Sequence, residues 1–365
     1  MQLFTTRYGR VPFLFFAIIS LLSGILVGLY RMGFHLPPLF QLSPALHPAL
    51  MISGFLGTVI SLERAVAYAK PMGYLAPLFN IMSIISMFII PQTFFAPFFA
   101  LLAATTLAII MLSFFQRQPT LHSAILGLAP FFWMMGSFLW MVKNPFPEIV
   151  HWWTIFLVLT IAGERLELSR IRKLPGSTLY LFVALILLLT LGALVSIFSL
   201  KIGWRMSAFG FIILGLWLLR YDMALLNVKQ KGLPRFIALA LLSGYIWLLI
   251  SGTLTFFWDG FPGGFLYDAF LHALFLGFLF SMIFGHAPVI FPSILMVNIN
   301  PSAKFYTHLG VLHLSLLARI LGDILGNPVL RSWGALFNGV AIILFFIVTI
   351  TSIRIASRKE FPVIR

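Results

Sequence analysis

Histidine is the residue type on which metal chemistry in this chain is read first. The chain has 365 residues, eight of them histidine and none cysteine. The lack of a thiol removes disulfides, thiolate metal sites, iron–sulfur clusters and CxxC haem attachment together. A metal would have to be held by His, Met, carboxylate or backbone groups. His47, His151, His272, His286, His308 and His313 fall within or at the ends of apolar runs, whereas His35 and His122 sit at loop edges and are given no role. Ionisable groups at membrane depth are rare and usually functional. Any single one can equally be a satisfied packing residue, so agreement in depth between several counts for more than one alone.

His47, His151 and His272 lie within about two helical turns of the same surface. Imidazoles on neighbouring helices at one depth suit the axial positions of one haem, or one copper ion. His47 with His272 is the favoured pair, because their segments repeat each other. His272 and His286 are fourteen residues apart, which puts them about 40° apart around a helix and about 21 Å apart along it. That spacing suits two stacked haems; the other reading is that His286 only caps a helix stopped by Pro288 and Pro292. His308 and His313 are further metal-ligand candidates, with His313 about 140° from His308 around their helix. His308 and Arg319 share a face. Arg319 is either a partner for haem propionates or the mate of Asp323 at i+4. Asp268, one turn before His272, either receives its ring N–H or serves the helix dipole. Glu63–Arg64 and Glu164–Arg165 can pair between helices or line a proton path. There is no GxxxxGK[ST], HExxH or GxSxG, so ATP hydrolysis, zinc proteolysis and serine hydrolysis have no support.

The elements that must position these residues are membrane spans. Hydrophobic residues make up 61% of the chain and charged residues 9%, with a mean hydropathy of +1.05. A soluble domain carries about 25% charged residues. This chain cannot give itself a polar surface, and lipid is the solvent that fits it. Twelve segments approach the ~20 residues that cross a bilayer, near 11–30, 44–66, 74–90, 94–115, 121–142, 148–169, 177–199, 203–222, 234–258, 266–290, 304–325 and 331–353. The first reads as an uncleaved span, being longer than a signal-peptide core. The fold class is therefore an all-α polytopic membrane protein in a single domain, 1–365.

The net charge of +15 is a topology signal, not a nucleic-acid one. Arg31, Lys143, Lys201, Arg205, Arg319 and Arg331 fall on one side, and the other eighteen of the 24 Lys and Arg on the opposite side. The positive-inside rule then puts both termini in the cytoplasm, with the chain in the inner (cytoplasmic) membrane.

A weak internal repeat is present. After His47 come Ser53, Gly57 and Ser61; after His272 come Gly277, Ser281 and Gly285. Spans 2 and 6 both end in Glu-Arg, and spans 2, 6 and 10 each carry a His near one surface. The spacing of four hints at three pseudo-repeated four-helix units. The small-residue lanes equally serve close helix packing.

These segments resemble a known family. LHPALMISGFLGTVI (46–60) resembles the His-containing second span of the NnrS family, and GLPRFIALALLSGYIWLLISG (232–252) its basic loop and GYxW span. LHALFLGFLFSMIFGH (271–286) is similar to its HAL-x-x-G-x-x-x-x-M motif, and LLARILGD (316–323) to its Leu-Leu-Arg segment. The resemblance implies a bacterial haem- and copper-containing membrane protein associated with nitric oxide resistance, with His47, His272 and Arg319 at its centre. There are departures: Ala49 stands where the family has a second His, span 10 ends GHAPVIFP, and span 6 has Ala162-Gly163-Glu164-Arg165. Twelve spans with His in spans 2, 6 and 10 also look like the catalytic subunit of haem–copper oxidases. The His pair expected in span 7 is missing, as 177–199 contains none.

The functional expectation is a haem-binding membrane protein, with copper as a second candidate metal, tied to nitric oxide or redox stress. It would be an oxidoreductase candidate with a redox donor as partner, in the lipid bilayer and without nucleic acid. The alternative is a proton-coupled secondary transporter using Glu63 and Glu164; a third reading is an assembly partner of a respiratory complex. The sequence sets neither haem type nor oligomeric state.

Overall fold

The structure is a computed structural model that describes residues 6–35, 42–91, 93–172, 174–300 and 302–354. Lys173, Arg358, Lys359 and Arg365, counted in the charge bias, lie outside the described residues, as do the side chains of Arg7 and Arg354.

Among the described residues twelve helices are long and apolar enough to cross a membrane. Spans 1 to 6 are Tyr8–Arg31, Pro44–Tyr68, Pro71–Ile89, Phe95–Arg117, Leu121–Met141 and Phe146–Arg172. Spans 7 to 12 are Gly176–Val195, Leu200–Tyr221, Leu233–Phe257, Gly264–Leu295, Phe305–Ile324 and Pro328–Thr351. The protein is an all-α polytopic membrane protein. Start signals match the sequence chemistry: Thr6, Thr120, Ser199 and Asn327 cap their helices through side-chain oxygens, satisfying orphan N–H groups. Pro44, Pro71 and Pro328 stand in first turns, where no N–H is needed. The end of the bundle where span 1 begins is called here the near face, the other the far face.

Span 10 differs from expectation. Pro288 and Pro292 do not stop it; it runs through both to Leu295 and ends at Met296 in the left-handed region. The buried Arg10 of span 1 donates to the carbonyl oxygens of Ile294 (2.8 Å) and Ser293 (3.4 Å). That satisfies acceptors the helix end leaves open. Just beyond, Asn298–Ile299 pairs antiparallel with Ile353–Arg354.

Spans 2, 6 and 10 form the buried column of the bundle, with 67%, 78% and 67% of an apolar 18-residue stretch of each inside, against 39–56% for the others. Consecutive spans pack side by side along 3 to 6, along 7 to 10, and in the pair 11 and 12, while span 1 lies against span 2. The four-residue spacing in span number thus becomes a spatial triple.

Spans 2 and 10 share an irregularity. Within two residues of its His, each opens into π-helical turns, Ala49–Gly57 in one and Ala273–Phe280 in the other. A π turn bonds i to i+5 and is a frequent mark of functional positions. It also leaves carbonyls that hydrocarbon cannot satisfy. Polar side chains fill that need: Ser20 donates to Leu50 O (2.8 Å), and Asn80 of span 3 to Ser53 O (2.6 Å) and Thr58 Oγ1 (2.7 Å). In span 10, Ser251 donates to Phe270 O at 2.9 Å.

Candidate cofactor site

His47 and His272 come together. Their ring centroids are 6.3 Å apart with planes inclined by 31°. His47 Nδ1 lies 2.8 Å from Gly24 O, and His272 Nδ1 lies 2.8 Å from Asp268 O. A carbonyl only accepts, so each imidazole carries its proton on Nδ1 and leaves its lone pair on Nε2. This is the tautomer that metal-ligating histidines adopt when a carbonyl takes the other ring nitrogen. With metal–imidazole bonds of roughly 2 Å, one metal can bond both rings at this separation.

The position of His47 is set by span 1. A Cβ built on Gly28 would stand 3.0 Å from His47 Cε1 and 3.2 Å from its Nδ1, so the ring lies flat on glycine backbone. Gly24, one turn earlier, supplies the accepting carbonyl. The position of His272 is set by charge. Arg319 donates to Asp268 through Nε (3.1 Å) and Nη2 (2.9 Å), and Arg331 Nη2 approaches the same carboxylate at 3.5 Å. Arg331 Nε also pairs with the buried Asp323 at 2.6 Å. Glycines make this cluster possible: a Cβ on Gly334 would stand 2.5 Å from the backbone nitrogen of Arg319, so spans 11 and 12 touch backbone to backbone. Arg319 therefore pairs with Asp268, and Asp323 with Arg331, not with each other.

A cavity of about 520 Å³ opens beside the two rings, lined by His47, His272, Arg31 and Arg319 at its polar end and by residues such as Met51, Phe275 and Phe280 deeper in. Span 6 contributes Phe146 and Val150 to its wall. The volume falls in the range of small-molecule and cofactor sites, ~300–1,000 Å³.

The remaining histidines stand apart from this pair. His151 Nε2 is 2.8 Å from Ser207 Oγ, and its ring stacks on Trp204 at 4.2 Å. His313 accepts from Trp247 Nε1 (2.9 Å), so its other nitrogen donates to Ser243 Oγ (2.9 Å). His308 is enclosed by Phe236, Phe284, Phe305 and Phe345, and neither ring nitrogen has a hydrogen-bond partner. His286 donates from Nδ1 to Met282 O (2.7 Å), and its Nε2 accepts from Arg165 at 3.2 Å. Both nitrogens of His286 are thus spoken for, and the second haem of the fourteen-residue spacing finds no free lone pair there. Among the described residues no group of three or more His, Cys, Asp or Glu is arranged to hold a metal ion.

A second polar cluster lies near the opposite end of the column. Arg64 of span 2 pairs with Glu164 of span 6, while Arg165 makes a bidentate bond to Asp222 at 2.8 and 2.9 Å. Asp222 is fully buried, and sequence reasoning missed it: an Asp just past an apolar run gives no signal of which Arg it will meet. Arg31 and the Gly24/Gly28 shelf were missed for the same reason, although the interval of four small residues in span 1 was a usable sign.

A family model matches residues 10–354 and describes a domain of unknown function, DUF8744. The chain belongs to that family. A search of curated proteins finds no match to this DUF8744 member. The matched stretch takes in both halves of the His47–His272 pair and all four residues of the Asp268–Arg319–Arg331–Asp323 cluster.

Proposed function

We propose that this DUF8744 protein is a haem-binding integral membrane protein in which His47 and His272 would hold the iron. One observation carries the reading: two imidazoles on different spans, each with Nδ1 committed to a carbonyl, meet 6.3 Å apart beside a cavity of about 520 Å³. The donor set favours haem over a stand-alone metal centre, because a porphyrin brings four nitrogens of its own and asks the protein for two. Arg31 and Arg319 at the polar end suit carboxylate groups, and the apolar remainder of the wall suits a macrocycle. When bound, haem would supply one-electron transfer. The chain's own residues do the rest. Gly24 and Asp268 fix the ring tautomers, Gly28 sets the depth of His47, and Asp268 binds span 11 to span 10. Copper held by the same two rings is the second reading of this site.

The link to nitric oxide or redox stress rests on the resemblance to the NnrS family, and an oxidoreductase role with a redox donor follows from it. The charge bias supports placement in the cytoplasmic membrane with the near face, and both termini, inside. Proton-coupled transport is the competing class, favoured by the Arg64–Glu164 pair with Glu63 beside it.

The test is a reduced-minus-oxidised spectrum of the detergent-purified protein. Haem bands are expected in wild type and in His151→Ala, and their loss in His47→Ala and in His272→Ala. A colourless wild type produced with haem available would overturn the proposal, and proton-linked flux abolished in Glu164→Gln would then support transport.

A further inference from the structure

A second hollow of about 340 Å³ lies between spans 1 and 12, lined by ten residues that are apolar except for Ser23. It shares Ile25, Leu29 and Gly339 with the wall of the histidine cavity. Leu22 and Ile343, also in its lining, are 39% and 44% exposed on the outside of the bundle. In a membrane protein that outside is acyl chain. Two cavities thus meet at one thin partition, with lipid on one side and the His47–His272 pair on the other. At the partition Gly339 presents no side chain, and a Cβ there would stand 3.1 Å from Ile25 Cγ2. Ile25 and Leu29 are the movable parts, since exposed or half-exposed side chains change rotamer in picoseconds to nanoseconds.

The chemistry of the lining defines what would pass. From the hollow inward the wall is largely hydrocarbon, interrupted by Ser23 and Asn338, until Asp268, Arg31, Arg319 and the two imidazoles. The charges around that polar end are Arg31, Arg319 and Arg331 against Asp268 and Asp323. Three guanidiniums against two carboxylates leave one positive charge, and Arg31 makes no ion pair among the described residues. Arg31 is exposed in the last turn of span 1, and a cation at the mouth of an apolar pocket favours an anion on an apolar body.

We propose that the cavity takes its occupant from the bilayer through the seam between spans 1 and 12, and that the occupant is an amphiphile with an apolar body and an acidic head. Haem is one member of that class, so the inference stands whether or not haem is the resident group.

The experiment uses the full-length chain in nanodiscs, shown by its spectrum to be haem-free, with a photoreactive diazirine fatty acid in the lipid. Cross-links are mapped by mass spectrometry. Wild type is expected to label at Met51, Phe275 or Leu276, deep in the cavity. Gly339→Leu, which fills the partition, is expected to lower that labelling by about tenfold, while Gly310→Leu, a glycine with nothing within 4 Å, leaves it unchanged. The matching fatty alcohol should label the deep positions less, and Arg31→Ala should erase the difference between acid and alcohol. Absence of deep labels in wild type, or their persistence in Gly339→Leu, overturns the lipid route. Equal labelling by acid and alcohol overturns the acidic head. The haem spectrum of the supplemented protein is a separate readout, so failure of one reading is distinguishable from failure of the other.

Discussion

Arg319 of span 11 lies bidentate on Asp268 of span 10, with contacts of 2.9 and 3.1 Å, and the backbone carbonyl of that same Asp268 holds the Nδ1 proton of His272. One residue thereby joins two helices and sets the tautomer of a candidate ligand. The carboxylate Oδ1 also stands 3.3 Å from His272 Nδ1, farther than the carbonyl at 2.8 Å, so the carbonyl makes the closer ring contact and the carboxylate the contact to Arg319.

Asp268→Asn keeps the backbone carbonyl and removes the charge. Arg319 and Arg331 are then left in a largely buried place with Asp323 as their remaining carboxylate. Breaking one side of a buried pair costs about 3–5 kcal/mol. The midpoint of thermal unfolding in detergent should fall clearly, with the haem bands still present below it. An unchanged midpoint would show that the pair is not holding spans 10 and 11 together.

Arg165 and Asp222 invite a double-mutant cycle. Arg165→Leu or Asp222→Leu alone strands a charge in the bundle interior and should destabilise by about 3 kcal/mol. The double variant should recover much of that loss, because two apolar side chains leave no charge uncompensated. Additive losses would mean that the two side chains do not depend on each other.

Gly28→Ala tests the shelf under His47. The new Cβ would sit 3.0 Å from His47 Cε1, so the ring must move by some tenths of an ångström or more. Overpacking of this kind costs about 1–3 kcal/mol, and here the cost falls on the ligand position. Haem bands should weaken or shift while the elution profile of the folded protein is kept. Gly310→Ala, with open space around it, serves as the silent comparison.

The absence of cysteine makes orientation directly measurable. Lys229→Cys and Lys201→Cys are single thiols on opposite faces of the bundle. With the near face inside, a membrane-impermeant maleimide should reach Lys201→Cys from outside in intact cells and Lys229→Cys only after lysis. The reverse pattern would invert the topology and, with it, the placement of the histidine cavity toward the outer surface.

The spans themselves were legible because their signal is local. A run of about twenty apolar residues can do little else than cross a bilayer as a helix, and eleven of the twelve expected segments coincide with their helices within a few residues. Span 10 ran longer because its end is held by Arg10, a residue of span 1, which no pattern within 264–295 announces. The pairing of His47 with His272 was also readable, through the repeat that marks both spans, and the π turns that follow both histidines are the structural form of that likeness.

What the amino-acid order determined alone was the solvent, the number of spans, the uneven division of Lys and Arg between loops, and the exclusion of thiolate from any metal chemistry. Each follows from composition or from periodicity within one helix. Which histidine keeps a free lone pair was decided only by tertiary structure. His286 gives its second nitrogen to Arg165 and His313 accepts from Trp247, while His151 and His308 keep unpartnered nitrogens but are walled in by Trp204 and by phenylalanines, away from the cavity. Arg319 takes Asp268 in place of Asp323, four residues away on its own helix, because Gly334 lets span 12 bring Arg331 to Asp323. In hydrocarbon a buried polar group without a partner is costly. The nearest partner in space, not in sequence, decides which groups are left for a ligand.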